Sequence, residues 1–574
     1  MLIRFLSVVV VFGLWVPATH GLREAPEFQP SPLHLRFLSR TASILHGTPS
    51  GIAREFKVIF YGQSITLFPW WNQVAQGLRA RFPHIKFVIE NLAIPGFAAD
   101  RLAETVTSDV VLVQPDLVIL HAYGQEFDTE RLLATLRLKT TAEVLVQSDH
   151  LHLNGQLEEE TDPSKIAIQD WWAYRNAVWL PALCARYGCC LADVRSYWKA
   201  YLRRHQLKEL DLLGDWPHPN DEGNEVMSAA VLSYFEAPPL EPGADAFDTP
   251  TVRLAEVSLV DSKSPWVLEA DFHGTRVDWI PHDIPDACDV TVWIDGRAPS
   301  ALDGPTAFGR TSYVEGTYWP AIQRIDSGGL LLEETWTLTL TEIAPNAENF
   351  RFRLEGSRTG FDGVGSNETN FLSHSGRIII DKSQWFISAA FRGAGLVPKS
   401  GFRVTWEALF RGRDGWTSET LRRARDEGRW TLAAGLMDGP HRLRLFSKSR
   451  AAPRRNQLVA YSPTGNASIR TRAWTVPETL SALTLRGTGS QGWVIWPQLN
   501  DRSRLEGCDR LVPEADWVPI HDVHRLTETI SGYEFGIGDG QRFFRVVTGA
   551  SSEKPSRVVG TDGANSTFVE KVTH

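Results

Sequence analysis

Between residues 51 and 238 the apolar positions follow two alternating patterns. Short runs rich in Val, Ile and Leu occur at Lys57–Tyr61, Lys86–Glu90, Leu117–His121, Glu143–Gln147 and Leu191–Val194. Runs this short and this apolar read as strands buried on both faces. Between them lie segments with apolar residues at helical spacing: Trp71–Arg81 (Val74, Leu78), Arg101–Val113, Trp171–Tyr187 and Gly223–Phe235. Pro83 and Gly188 mark the ends of the first and third. Strands alternating with helices predict right-handed crossovers and a mainly parallel sheet. Such sheets carry their functional residues on loops at the carboxyl ends of the strands.

After Pro238, Pro239, Pro242 and Gly243, which read as a linker, the pattern changes. Short alternating segments now dominate: Val252–Leu259, Thr291–Ile294, Thr335–Leu340, Phe350–Leu354, Arg377–Ile380, Phe402–Leu409 and Arg442–Phe446. Asp295-Gly296 and Asp438-Gly439 supply turns. One or two β-sandwich-type domains are predicted over 247–475, then a small C-terminal β domain over 476–549 and a polar, disordered tail over 550–574. At the other end, Arg4 precedes the apolar run Phe5–Ala18, and Thr19-His20-Gly21 offers small residues for cleavage. This predicts a signal peptide over 1–21, with an uncleaved anchor as the alternative, followed by a Pro-, Ser- and Arg-rich lead-in over 22–50. The expected location is therefore secreted or periplasmic, with no stable membrane span after cleavage.

A chain of 574 residues exceeds what a single hydrophobic core supports. Its 43% hydrophobic and 22% charged residues exclude a disordered protein. A net charge of −9 without a basic stripe argues against nucleic acid as a partner. The five cysteines, an odd number, leave at least one thiol unpaired. Export would permit a disulfide from Cys184 to Cys189 or Cys190; the simpler reading is five small buried hydrophobes. Their spacing fits no zinc site, and no cofactor or metal is expected.

Two segments carry the candidate chemistry. Val58-Ile59-Phe60-Tyr61-Gly62-Gln63-Ser64-Ile65-Thr66 reads as a buried strand running into a tight turn that presents a serine. Asp215-Trp216-Pro217-His218-Pro219-Asn220 places a carboxylate and an imidazole just before a helix that Asn220 or Asp221 can cap. A serine hydroxyl becomes a nucleophile when a base takes its proton, and the base needs an orienting acid. Ser64, His218 and Asp215 supply the three parts if the fold brings them together. Taken singly, each segment is more often structural than catalytic.

Four blocks now line up in order: Gly62-Gln63-Ser64-Ile65-Thr66, Asn91-Leu92-Ala93-Ile94-Pro95-Gly96-Phe97-Ala98, Tyr123-Gly124-Gln125-Glu126, and Asp215-x-x-His218. Over about a third of the chain this order resembles the SGNH (GDSL) hydrolases, serine esterases on a flavodoxin-like three-layer α/β fold. The resemblance implies Ser64 as nucleophile, His218 as general base and then acid, and Asp215 as its orienter. It also implies an oxyanion hole from the backbone N–H groups of Ser64 and Gly96. Two positions depart from the family pattern. Gln63 stands where an Asp is usual, and Gln125 stands where an Asn usually donates its amide to the oxyanion.

The chain has 21 Trp, and exposed aromatic faces suit sugar rings. Trp70 and Trp71 follow the serine turn, and Trp171-Trp172 opens a helix of the same unit. Tyr123 and His121 alternate beside the third block. Ser148-Asp149-His150-Leu151-His152 follows the fourth strand, where its histidines either line a hydrogen-bonded loop or, with Asp149, could meet a metal. Trp70, Trp71, Tyr123 and His150 are the substrate-binding candidates. An exported ester hydrolase with β appendages is expected to act on O-acetyl groups of acylated carbohydrate. The alternatives are lipid or aryl esters, or a catalytically weak carbohydrate-binding or surface-attachment protein that keeps the fold.

Overall fold

The computed structural model describes residues 23–47, 54–236, 251–258, 266–282, 289–417, 419–420, 429–447 and 455–475, and, as backbone strands, segments between 484 and 571. The expected signal peptide (1–21) and the Pro-rich linker lie outside the described residues.

Five strands build one parallel sheet: β1 (Arg54–Gly62), β2 (Ile85–Asn91), β3 (Leu117–His121), β4 (Glu143–Gln147) and β5 (Cys190–Ala192). Their order is β2-β1-β3-β4-β5. This is a doubly wound order whose direction reverses between β1 and β3, and the crevice at such a reversal is where sites form. Both faces of the sheet are covered, which is why its strands read as apolar runs. Phe56, Val58, Phe60, Ile119 and Leu145 share a core with Trp70, Val74, Leu78, Trp198 and Val226, from helices Trp70–Arg81, Val194–His205 and Asp221–Leu232. Ile59, Tyr61, Val118, Leu120 and Val144 face the other way, against Leu102 and Val106 of helix Ala99–Val106 and Leu132 and Leu136 of helix Glu126–Lys139. Each such side chain, fully buried, contributes about 1.5–3 kcal/mol.

Two helices were absent from the periodicity. Glu126–Lys139 carries charged residues through most of its turns, and Val194–His205 buries Arg195 and Lys199 against Glu159. The second still has a local start signal, because the Asp193 carboxylate accepts the Ser196 N–H. Cys184, Cys189 and Cys190 are buried free thiols that form no disulfide, and burial pushes all three thiols up. Among the described residues no helix is long and apolar enough to cross a membrane.

The described residues that follow are mainly antiparallel β structure, with one short helix at Ile387–Gly393. A seven-stranded sheet is built on the long strands Trp266–His282 and Trp430–Ser447. A five-stranded sheet (Thr306–Phe308, Glu334–Ile343, Phe350–Gly356, Gly360–Ser366, Arg403–Phe410) is inserted between Val290–Ile294 and Gly415–Trp416, two strands of the larger sheet that pair with each other. Tryptophans plug these cores, as Trp266, Trp279, Trp336, Trp406 and Trp430 do. Further small sheets follow from Thr484 to Lys571. The tail is a correction: Val558–Thr561 pairs with Arg542–Thr548 and then with Phe568–Lys571, its Val and Phe residues giving short strands within a polar stretch.

The inserted sheet and the parallel unit share one core. Leu102, Val106 and Val110 pack in the same cluster as Phe308, Ile322 and Trp336. Ion pairs cross the boundary at Arg310–Asp109 (2.7 Å) and Arg324–Glu104 (2.6 Å), and Arg429, just before the larger sheet's strand Trp430–Ser447, pairs with Asp116 (3.4 Å).

Candidate active site

β1 ends at Gly62, whose partner across the sheet is His121. A Cβ at position 62 would sit 2.1 Å from the His121 carbonyl oxygen, so only glycine fits there. Gln63 is extended, and Ser64 opens the short helix Ser64–Leu67. Gln63 is buried: its Oε1 accepts the Tyr123 N–H (3.3 Å), and its amide nitrogen lies 3.4 Å from His121 Nδ1. Gln63 therefore ties the serine turn to the end of β3.

His218 comes from a closed loop. Its carbonyl accepts the Gly214 N–H, and the Asn220 N–H donates to Leu212. Asn220 also caps helix Asp221–Leu232 by accepting the Gly223 N–H (2.9 Å). This loop and the serine turn, distant in sequence, meet side by side. His218 Nε2 lies 2.9 Å from Ser64 Oγ, and His218 Nδ1 lies 2.5 Å from Asp215 Oδ1. The Phe68 ring stacks flat on the imidazole at 4.7 Å, fixing its plane. The Asp215 side chain is 71% exposed, an open position for an orienting acid. In this arrangement a proton can leave the serine for the imidazole, with a carboxylate behind it.

Next to the loop lies a buried polar network centred on Asp149 of the Ser148–His152 segment, whose partners Arg175 and Asn176 carry no sequence motif. Asp149 accepts from Arg175 Nε (2.7 Å) and Asn176 Nδ2 (3.0 Å). Arg175 also donates to the carbonyls of Ala122 (2.6 Å) and Gly124 (3.0 Å), which pins the β3 loop. Burial pushes the Asp149 carboxyl up, but Arg175 and His121 outweigh it and hold it below the usual carboxylate range. His121 Nε2 is 3.3 Å from Asp149 Oδ1, close enough for attraction though not aligned as a hydrogen bond. Arg175 was one of the polar positions of an amphipathic helix, with no local sign of its partner.

The glycine block places Gly96 at φ +77° in a turn tied to β1 by the Ile94 N–H donating to the Gly62 carbonyl. Among the described residues, neither the Ser64 nor the Gly96 backbone N–H has a protein acceptor. Gln125 begins helix Glu126–Lys139 and is exposed, its carbonyl accepting from Thr129. No hydrogen bond joins its amide to this group.

Two substrate-binding expectations are corrected. Trp70 is fully buried, with its indole N–H donated to the Ile65 carbonyl (2.7 Å) and its ring against Phe60. It offers no free face to a ligand. His150 is also fully buried, and its Nε2 lies 2.8 Å from the Pro217 carbonyl oxygen. It supports the His218 loop from below. Trp71 is half-buried against Phe60. Tyr123 is half-buried in an aromatic group with Trp172 and His152, and the 65%-exposed Trp216 joins this group through His152. His152 Nδ1 lies 3.2 Å from the His150 carbonyl oxygen.

No family model and no curated protein matches the chain. Among solved structures it is similar to LAE5, an alpha/beta hydrolase enzyme from the metagenome of Lake Arreo, Spain, at 19% identity and TM-score 0.26, over 32% of this chain and 96% of that one. It is similar to Axe2, an acetylxylan esterase from Geobacillus stearothermophilus, at 16% identity and TM-score 0.28, over 33% of this chain and 98% of that one. It is also similar to the acetyl xylan esterase AlAXEase at 22% identity and TM-score 0.26, over 31% of this chain and 98% of that one.

Proposed function

We propose that this chain is an exported serine esterase of the SGNH type, on a flavodoxin-like domain, that removes O-acyl groups from carbohydrate. The observation that carries the reading is the run of contacts Ser64 Oγ–His218 Nε2–His218 Nδ1–Asp215 Oδ1 at 2.9 and 2.5 Å. In the proposed reaction Ser64 Oγ attacks the acyl carbonyl and gives its proton to His218 Nε2. Asp215 holds the Nδ1–H and stabilises the imidazolium. The oxyanion takes hydrogen bonds from the unclaimed N–H groups of Ser64 and Gly96, each typically worth about 3 kcal/mol of barrier. The sugar alcohol leaves with the proton from His218. Water, activated by the same imidazole, then attacks the acyl-enzyme, releasing the acid and restoring Ser64.

The test compares wild type with Ser64→Ala. Wild type is expected to release acetate from acetylated polysaccharide and from p-nitrophenyl acetate, and to be labelled stoichiometrically by a fluorophosphonate. Ser64→Ala is expected to lose all three while keeping its fold. Turnover of the small ester alone would leave the mechanism and remove the sugar. Folded wild-type protein that takes no label would favour a binding protein.

A further inference from the structure

The inserted five-stranded sheet sends residues 311–322 back over the glycine turn. The base of this arm is fixed by Arg310, which pairs with Asp109 and donates to the Leu92 carbonyl (2.7 Å). It is closed by Thr311 Oγ1 bonding both the N–H and the carbonyl of Ile322, by the Ala321 N–H donating to Ser312, and by the bridge between Tyr313 and Pro320. Trp319 then docks on the parallel unit. Its indole N–H donates to the Pro95 carbonyl (2.5 Å), and its ring covers Gly96 so closely that a Cβ there would sit 3.3 Å from it. Phe386 supports the ring edge-on at 5.5 Å.

Trp319 is thus spent on holding the arm, but its neighbours are not. Tyr318 is 50% exposed and Tyr313 42% exposed, with ring centroids 5.8 Å apart. Tyr318 has φ +59°, a left-handed conformation that a bulky side chain adopts only when its surroundings impose it. Two large rings are therefore held out to water, on a rigid arm, next to the turn that carries Gly96. Trp216, beside Asp215 on the His218 loop, is a further exposed ring.

We propose that the Tyr313–Tyr318 arm is the subsite for the sugar chain that carries the scissile ester, each ring stacking on a sugar unit outside the acylated one. This rests on the esterase reading above. It adds that the enzyme reads an oligosaccharide rather than a single acylated sugar, and that the inserted sheet supplies this selectivity. Aromatic rings with a polar tip suit pyranose faces edged with hydroxyls. Arm contacts made equally in ground and transition states lower KM without changing kcat.

The test uses full-length protein with Tyr313→Ala/Tyr318→Ala, both exposed positions. The substrates are p-nitrophenyl acetate and a chemically acetylated ladder of one to six β-1,4-linked xylose or glucose units. The wild-type KM is expected to fall with chain length. The double variant is expected to lose that dependence, its KM on the longest esters rising roughly tenfold, with turnover of the small ester within about twofold of wild type. Equal losses on long and small esters, or no loss, would overturn the proposal while leaving the esterase standing. Binding is measured separately, by calorimetry of the same ladder on Ser64→Ala with and without the tyrosines. Affinity that ignores chain length or the tyrosines would overturn the subsite. Tyrosine-dependent binding without any wild-type turnover would keep the subsite and sink the esterase.

Discussion

Asp215→Asn tests the weakest part of the proposed catalytic geometry. Where the orienting acid of a triad is buried, removing its charge costs about 10⁴ in kcat. Here the carboxylate is 71% exposed, so water screens much of its pull on the imidazolium. What remains is one short charge-assisted contact at 2.5 Å. Such bonds contribute about 1.5–3 kcal/mol, or roughly a ten- to a hundredfold loss in rate. The imidazole plane is also held by Phe68, stacked at 4.7 Å, so orientation does not depend on Asp215 alone. The assay is kcat/KM for p-nitrophenyl acetate, for wild type, Asp215→Asn and Ser64→Ala, at low and high salt. The expected result is an intermediate loss for Asp215→Asn and a wild-type rate that falls modestly with salt. A loss as complete as that of Ser64→Ala would refute the reasoning, and so would no loss at all.

Three other outcomes are expected. Burial pushes the His150 imidazole down to about 3, so the unfolded chain binds a proton that the folded chain refuses. The stability this represents is complete above about pH 6.5 and is lost, by about 1.4 kcal/mol per unit, as pH falls toward 3. Thermal unfolding across that range checks it, and His150→Asn should flatten the slope. A chain ending at residue 236 strips Asp109 and Asp116 of their arginine partners and uncovers Val110. It should be insoluble or have a markedly lower Tm by light scattering and calorimetry; a soluble, active fragment would show the parallel unit to be autonomous. Gly62→Ala puts a methyl group 2.1 Å from the His121 carbonyl oxygen and should abolish soluble expression, which a solubility assay reads directly.

The parallel unit was legible because its chemistry is local. β3 and β4 lie where the apolar runs placed them, since a strand buried on both faces shows as an unbroken run. Ser64 and His218 could be paired from sequence because a tight turn and a helix cap have short-range signatures, and the structure sets them 2.9 Å apart. Trp70 and His150 misled for a common reason: a ring near a catalytic loop looks the same in sequence whether it lines a pocket or props the loop from beneath. Arg175, Asn176 and Trp319 were missed because their partners lie far along the chain, at Asp149 and Pro95. The insertion of one sheet into another was equally invisible, since it depends on Gly415–Trp416 pairing with Val290–Thr291.

That pairing also sets an order of assembly. The strand ends that root the arm come together only after the whole intervening sheet has been made, and such non-local closures are slow. During synthesis the serine turn and the His218 loop emerge long before Trp319 can reach Gly96. The serine turn and the His218 loop are thus made long before the wall beside them, and the parallel unit waits on that late closure to cover Val110 and to pair Asp109 and Asp116.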